Sequence, residues 1–340
     1  MTTALLPRPR QFWHVNRHAG DHHPALRMAV SSMVPMVALV LAGHASWSAW
    51  AVLGTMAAIY GRLDTPWRRL RVQVAVGLTL VTLVVAGTAL AAADASGWTL
   101  VLCTALVAGA ATVLTDLGRW APTGPLFPVL VFGASSAQTV TTSDVRIAGL
   151  VALGALAWAL TVTAVAGAVD LPGAPPQQLP PPRAGARLIT LHTAVCLVAV
   201  ALAGSVSVLA GWQHPAWAMV AAVVPVVGRT TSGQLLRAGQ RLLGTLAGVL
   251  VAGVLYAIPF TPLTAALVLG TLLFGAELLI ARNYALALLC ITPATIGLAH
   301  PSGSDQLWSL LADRTLENAT GIAVVVLLIL ATHRLRHPRP

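Results

Sequence analysis

Apolar runs fill most of this chain, and short gaps rich in glycine, proline and arginine cut them into lengths close to the thickness of a bilayer. A hydrocarbon core about 30 Å thick takes roughly 20 helical residues, with about 17 to 25 tolerated. On that template the first half holds six spans, at approximately 25–43, 45–61, 72–93, 97–117, 122–141 and 145–168. The second half holds six more, at approximately 187–210, 213–228, 241–258, 261–281, 283–299 and 313–333. The second, fifth, eighth and eleventh are short or interrupted, which predicts tilted, broken or re-entrant helices lodged against protein. The pattern therefore predicts an all-α polytopic membrane protein of about 12 transmembrane helices.

The polar gaps add an orientation. With the N-terminus placed in the cytoplasm, 18 of the 20 arginines fall in inner segments and only Arg146 and Arg314 fall outside. That bias predicts cytoplasmic termini and an even number of spans. Asp94, Asp144, Asp305 and Asp313 all fall on the outer side. The expected organisation is a cytoplasmic arm (1–24), a first membrane unit (25–168), a Pro-rich cytoplasmic linker (169–186), a second membrane unit (187–333) and a basic tail (334–340).

The two units read as repeats. Trp50, Gly61, Arg62 and Gly77 recur 167 positions later as Trp217, Gly228, Arg229 and Gly244. Pro128 and Pro293 interrupt the fifth and eleventh spans at nearly matching offsets, and Arg146 and Arg314 open the last span of each unit. Units of six spans must insert in the same sense, so the expectation is two parallel six-helix repeats about an axis along the membrane normal.

Composition narrows the chemistry. Apolar residues make up 57% of the chain and charged residues 9%, with a net charge of +10 and a mean hydropathy of +0.80. All 20 basic residues are arginine. Without lysine there is no Walker A loop and no lysine Schiff base. The arginines sit between apolar runs rather than in a basic domain, which argues against nucleic acid. Cys103, Cys196 and Cys290 each stand alone in apolar surroundings, so neither a disulfide framework nor a metal site is expected, and no cofactor. His14, His18 and His22 share a spacing but are flanked by Gly20 and Pro24, which suits a solvated arm better than a metal site.

The stretch from Gly228 to Gly248 joins charge to membrane. Arg237, Arg241, Gly244 and Gly248 recur at steps of four, three and four, so a helix carries all of them on one face. Guanidinium groups there suit carboxylate or phosphate recognition, and they equally satisfy the positive-inside rule. The only two glutamates, Glu277 and Glu317, lie inside spans. An intramembrane carboxylate reads as a proton carrier or as a counter-ion to an arginine. Glu277 precedes Arg282 near the inner face, and Asp313, Arg314 and Glu317 can share a helix face. The inner loops offer Asp64, Asp116 and Asp170 only in isolation, which is poor support for a membrane enzyme.

Three blocks, RAGQRLLGTLAGVLVA, ARNYALALLCITPATI and LADRTLENATGIAV, resemble in order and spacing the signatures of the fusaric acid resistance-like family, over about 187–335. The first half matches as a weakened copy, and the large soluble domain of many members is reduced to the Pro-rich linker. The resemblance implies membrane transport in the inner membrane, with small organic anions, aromatic carboxylic acids above all, as substrates. The family's motif positions carry over onto Arg237, Arg241, Gly244, Thr245, Asn283, Tyr284, Thr292, Pro293, Arg314, Asn318 and Gly321. The candidates are therefore Arg237, Arg241, Asn283, Tyr284, Pro293, Arg314 and Asn318 for an anion path. Glu277 and Glu317 are candidates for proton coupling, and Gly244, Gly248 and Gly321 for helix packing. The expected partners are membrane lipids and the anion, with a homo-oligomer left open. A passive channel, a membrane enzyme and a non-transporting assembly partner are the alternatives.

Overall fold

The structure, a computed structural model, describes residues 7–17, 20–168, 185–228, 230–299 and 307–336. The Pro-rich linker at 169–184, His18, Arg229, Asp305 and the last four residues of the basic tail lie outside the described residues. All regular structure among the described residues is helical.

A short α1 (Pro9–Trp13) precedes the first unit, which comprises α2 (His22–Leu41), α3 (Ser48–Thr55), α4 (Pro66–Ala92), α5 (Gly97–Gly118), α6 (Leu126–Ser136) and α7 (Thr142–Ala168). The second unit comprises α8 (Ala186–Leu209), α9 (Pro215–Val223), α10 (Thr231–Tyr256), α11 (Pro262–Ile280), α12 (Tyr284–Ala299) and α13 (Leu307–Arg336). Eight of these, α2, α4, α5, α7, α8, α10, α11 and α13, are long and apolar enough to cross a membrane. The second, fifth, eighth and eleventh predicted spans are shorter apolar helices, at Ala45–Ile59, Leu126–Ser136, Pro215–Val227 and Tyr284–Ala299.

Local chemistry sets the helix starts. Ser96, Thr230 and Thr261 each accept, through the side-chain oxygen, the backbone N–H three residues on, at the heads of α5, α10 and α11. Pro66, Pro215 and Pro262 take first-turn positions where the missing N–H costs nothing. Pro128 is of this kind: it is the third residue of α6, not a mid-span break. Pro293 does lie inside α12, as Pro35 lies inside α2.

The broken second helix of each unit ends in a 3-10 turn, Met56–Ile59 or Pro225–Val227, whose carbonyls need donors away from water. A glutamine supplies them in both units. Gln73 Nε2 donates to the carbonyls of Ala58 and Tyr60 at 3.2 and 2.9 Å, and Gln234 Nε2 to those of Val226 and Gly228 at 3.2 and 3.0 Å.

Within the first unit α2 packs on α3 and α7, α3 on α7, α4 on α6 and α7, and α5 on α6. The second unit repeats these pairings: α8 on α9 and α13, α9 on α13, α10 on α12 and α13, and α11 on α12. Each unit also lends its fourth helix to the other, α5 packing on α8 and α11 on α2. The interiors differ. The first unit shares one large apolar cluster from Met28 to Ala159 with Ala266, Leu269 and Ala294 of α11 and α12. The apolar core of the second unit is divided among smaller clusters, and buried polar side chains of α10, α12 and α13 lie among them.

Candidate functional site

The face of α10 that carries Arg237, Arg241, Gly244 and Gly248 turns toward α12. A Cβ at Gly244 would fall 2.7 Å from the carbonyl oxygen of Ala285, and one at Gly248 would fall 2.5 Å from that of Leu288. Only glycine lets the two backbones approach this closely. Gly321 does the same for α13 against the Ala218 carbonyl of α9. With α10 held down, Arg241 Nη1 donates to the Tyr284 hydroxyl at 2.8 Å, and the Arg237 guanidinium lies 5.0 Å from the centre of the Tyr284 ring. The tyrosine is thus held between two cations.

Arg314, the eighth residue of α13, enters the same interior. The fold buries it to 2% exposure, within electrostatic range of Arg241, itself 3% exposed. Its guanidinium lies 5.1 Å from the Trp217 ring. Among the described residues it makes no hydrogen bond, and neither Arg314 nor Arg241 forms an ion pair. Nε of both arginines, both side-chain polar atoms of Asn318, Glu317 Oε2 and the hydroxyls of Thr245 and Thr292 are buried without partners. Inserting one arginine at bilayer depth costs about 2.5–3.5 kcal/mol even on permissive scales. Arg241 and Arg314 repel each other, and Glu317 lies within electrostatic range of Arg314 as a partial counter-charge.

Glu317, three residues beyond Arg314, does not pair with it. Its Oε1 accepts the backbone N–H of His214, at the N-terminus of α9, at 2.8 Å, where the helix dipole favours negative charge. The His214 ring meets Asp313 at 3.0 Å and stacks on Trp217 at 4.5 Å. The predicted cluster of Asp313, Arg314 and Glu317 is therefore split, Asp313 and Glu317 both engaging His214 and Arg314 turning to Trp217.

Glu277 lies elsewhere. It is buried near the head of α2, where Arg62 reaches it at 3.9 Å and also pairs with Asp21, while Arg282 pairs with Asp21 at 3.7 Å rather than with Glu277. This network ties the first unit to the second. Asn283 serves structure: its Oδ1 accepts the N–H groups of Ala285 and Leu286, heading α12, and its Nδ2 donates to the carbonyls of Phe12 and His14. Asn16 adds two bonds to Ala281 and Arg282, so the arm expected to be solvated docks on the α11–α12 turn. Pro293 lies on α12, and its carbonyl accepts the Tyr256 hydroxyl at 2.9 Å.

Sequence reasoning missed two contacts between distant segments. Asp116, read as isolated, meets His192 at 2.8 Å across α5 and α8, and His214 was not singled out at all. A stacked His-x-x-Trp pair, His44–Trp47 and His214–Trp217, heads the second helix of both units and was the available signal. It pairs Trp217 with Trp47, whereas the sequence offset paired it with Trp50. Arg146, the offset partner of Arg314, is exposed, so the buried Arg314 has no buried counterpart at that position in the first unit. Among the described residues no group of three or more His, Cys, Asp or Glu side chains is placed to hold a metal ion.

One family match falls on this unit. Residues 195–328 match the fusaric acid resistance protein-like family. The matched stretch runs from α8 into α13 and takes in Arg241, Tyr284, Arg314 and Glu317. The fusaric acid resistance-like family is one of membrane transport and resistance, and the apolar helices make this a multi-pass membrane protein. No curated protein and no solved structure matches the chain.

Proposed function

We propose that the fusaric acid resistance-like unit binds and exports small organic anions, aromatic carboxylates foremost, at the buried pair Arg241 and Arg314. The observation that carries this reading is two guanidinium groups buried among apolar helices with no carboxylate of the described residues within ion-pair distance of either. A carboxylate placed between them would accept their free N–H groups, and the rings of Trp217 and Tyr284 beside the cations suit an aromatic body. Unpartnered hydroxyl and amide groups of Thr245, Thr292 and Asn318 offer further donors.

On this reading the two six-helix units are parallel repeats with cytoplasmic termini in the inner membrane, the paired helix contacts and the arginine bias supporting the arrangement. Glu317 is the favoured proton-coupling carboxylate, because one oxygen lacks a partner beside the arginines, whereas Glu277 neutralises Arg62. The role is transport rather than catalysis. Accumulation profiles of a deletion strain, complemented with the parent or with Arg314→Gln, over a panel of aromatic and aliphatic acids test the assignment. Restored export of at least one acid by the parent only is the expected result. Equal restoration by both removes the arginine pair from the mechanism. Bilayer recording separates the passive-channel alternative, since only a channel gives unitary currents.

A further inference from the structure

A groove of about 460 Å³, apart from the arginine pair, lies at the head of α4, lined by Thr65, Trp67, Arg68, Arg71, Val72 and Trp120. We infer that it seats the headgroup of an anionic phospholipid. α4 has 27 residues and so runs about 40 Å, some 10 Å more than the hydrocarbon core, which carries its first turns into the headgroup layer.

The groove has the chemistry of that layer. Two indoles flank it, and Trp67 is 69% exposed, as interfacial tryptophans are. Arg68 is fixed by Asp64 at 3.2 Å and by the carbonyl of Arg119 at 3.0 Å, while Arg71 is exposed and makes no hydrogen bond or ion pair among the described residues. Two cations against Asp64 leave the groove positive, and a guanidinium fork matches a phosphodiester. Trp67, Arg71, Val74 and Leu78 follow one another at helical spacing on one face of α4, and all four are exposed. Charge therefore stands at the head of an apolar stripe that an acyl chain can follow. A free phosphate would use the arginines and leave that stripe without a role.

The test is native mass spectrometry of the full-length protein in detergent, titrated separately with phosphatidylglycerol, phosphatidylcholine of the same chains and inorganic phosphate. The expected result is a 1:1 phosphatidylglycerol adduct favoured about tenfold over phosphatidylcholine. Arg71→Gln should abolish that preference, Arg71→Lys should keep part of it, and Arg187→Gln, an exposed arginine elsewhere, should leave it intact. Arg71 is exposed and makes no hydrogen bond or ion pair among the described residues, so its loss should not unfold the chain. Equal adducts with both lipids, a preference that survives Arg71→Gln, or an equal fall in Arg187→Gln would overturn the inference. So would inorganic phosphate displacing the lipid.

Discussion

Replacing Gly248 by alanine adds one methyl group where the structure has no room for it. The new Cβ would fall 2.5 Å from the Leu288 carbonyl oxygen and 2.7 Å from Thr292 Cβ. Non-bonded carbons rest at about 3.5–4.0 Å, so the second contact alone is short by about 0.8–1.3 Å. Both obstacles are stiff, one a helix backbone and the other a β-branched side chain, so α10 and α12 must part. Overpacking of this kind costs about 1–3 kcal/mol, against a helix-propensity gain of about 0.8–1.0 kcal/mol for alanine over glycine. The net expectation is a loss of up to about 2 kcal/mol. Gly154 on α7 is the control, because a Cβ there meets nothing within 4 Å and only the propensity gain remains. Thermal unfolding of both variants in one detergent at one scan rate should place Gly248→Ala a few degrees below Gly154→Ala. If Gly248→Ala melts level with or above that control, the close approach of α10 to α12 is wrong, and with it the setting of Arg241.

Gln234→Leu strips two carbonyls at the end of α9 of their donor, and about 1–3 kcal/mol of stability should be lost, read in the same melting assay against Gln213→Leu at an exposed site. Arg62→Ala leaves Glu277 with only the more distant Arg27 as counter-charge while Asp21 keeps Arg282, so a loss smaller than the about 3–5 kcal/mol of a fully uncompensated buried charge is expected, partly reversed by adding Glu277→Gln. In proteoliposomes carrying a transported acid, Glu317→Gln should abolish acceleration by an imposed pH gradient while exchange at equal pH persists; Glu277→Gln should keep the gradient response.

The long helices were legible because a hydrocarbon layer demands apolar runs of a fixed length: eight predicted spans coincide with helices long and apolar enough to cross it, and the other four fall on shorter apolar helices. The short ones were legible for the same reason, since 45–61 and 213–228 contain too few apolar residues to make a full crossing. The candidate site was legible only in part. Arg241 stood out because a charge entering an apolar span needs a partner, but Tyr284 as that partner is a contact across 43 positions. The burial of Arg314 was not legible, because counting arginines by loop assigns a side to each residue and says nothing of packing, whereas α13 buries this one against Trp217 of α9. Asn283 shared a motif with Tyr284 and was read with it, yet its side chain is spent on heading α12 and holding the arm. Gln73 and Gln234 do equivalent work in the two units from positions 161 apart, so the 167-residue offset could not align them.

The central claim is that Arg241 and Arg314 together receive an organic anion. Efflux of a panel of aromatic and aliphatic carboxylates from proteoliposomes, with the parent, Arg241→Gln, Arg314→Gln and the exposed-site variant Arg146→Gln compared at equal incorporation and equal melting temperature, tests it most directly. The account predicts that the parent and Arg146→Gln release at least one aromatic acid, and that each buried-arginine variant slows its release tenfold or more. Release at the parent rate by both buried-arginine variants would contradict it.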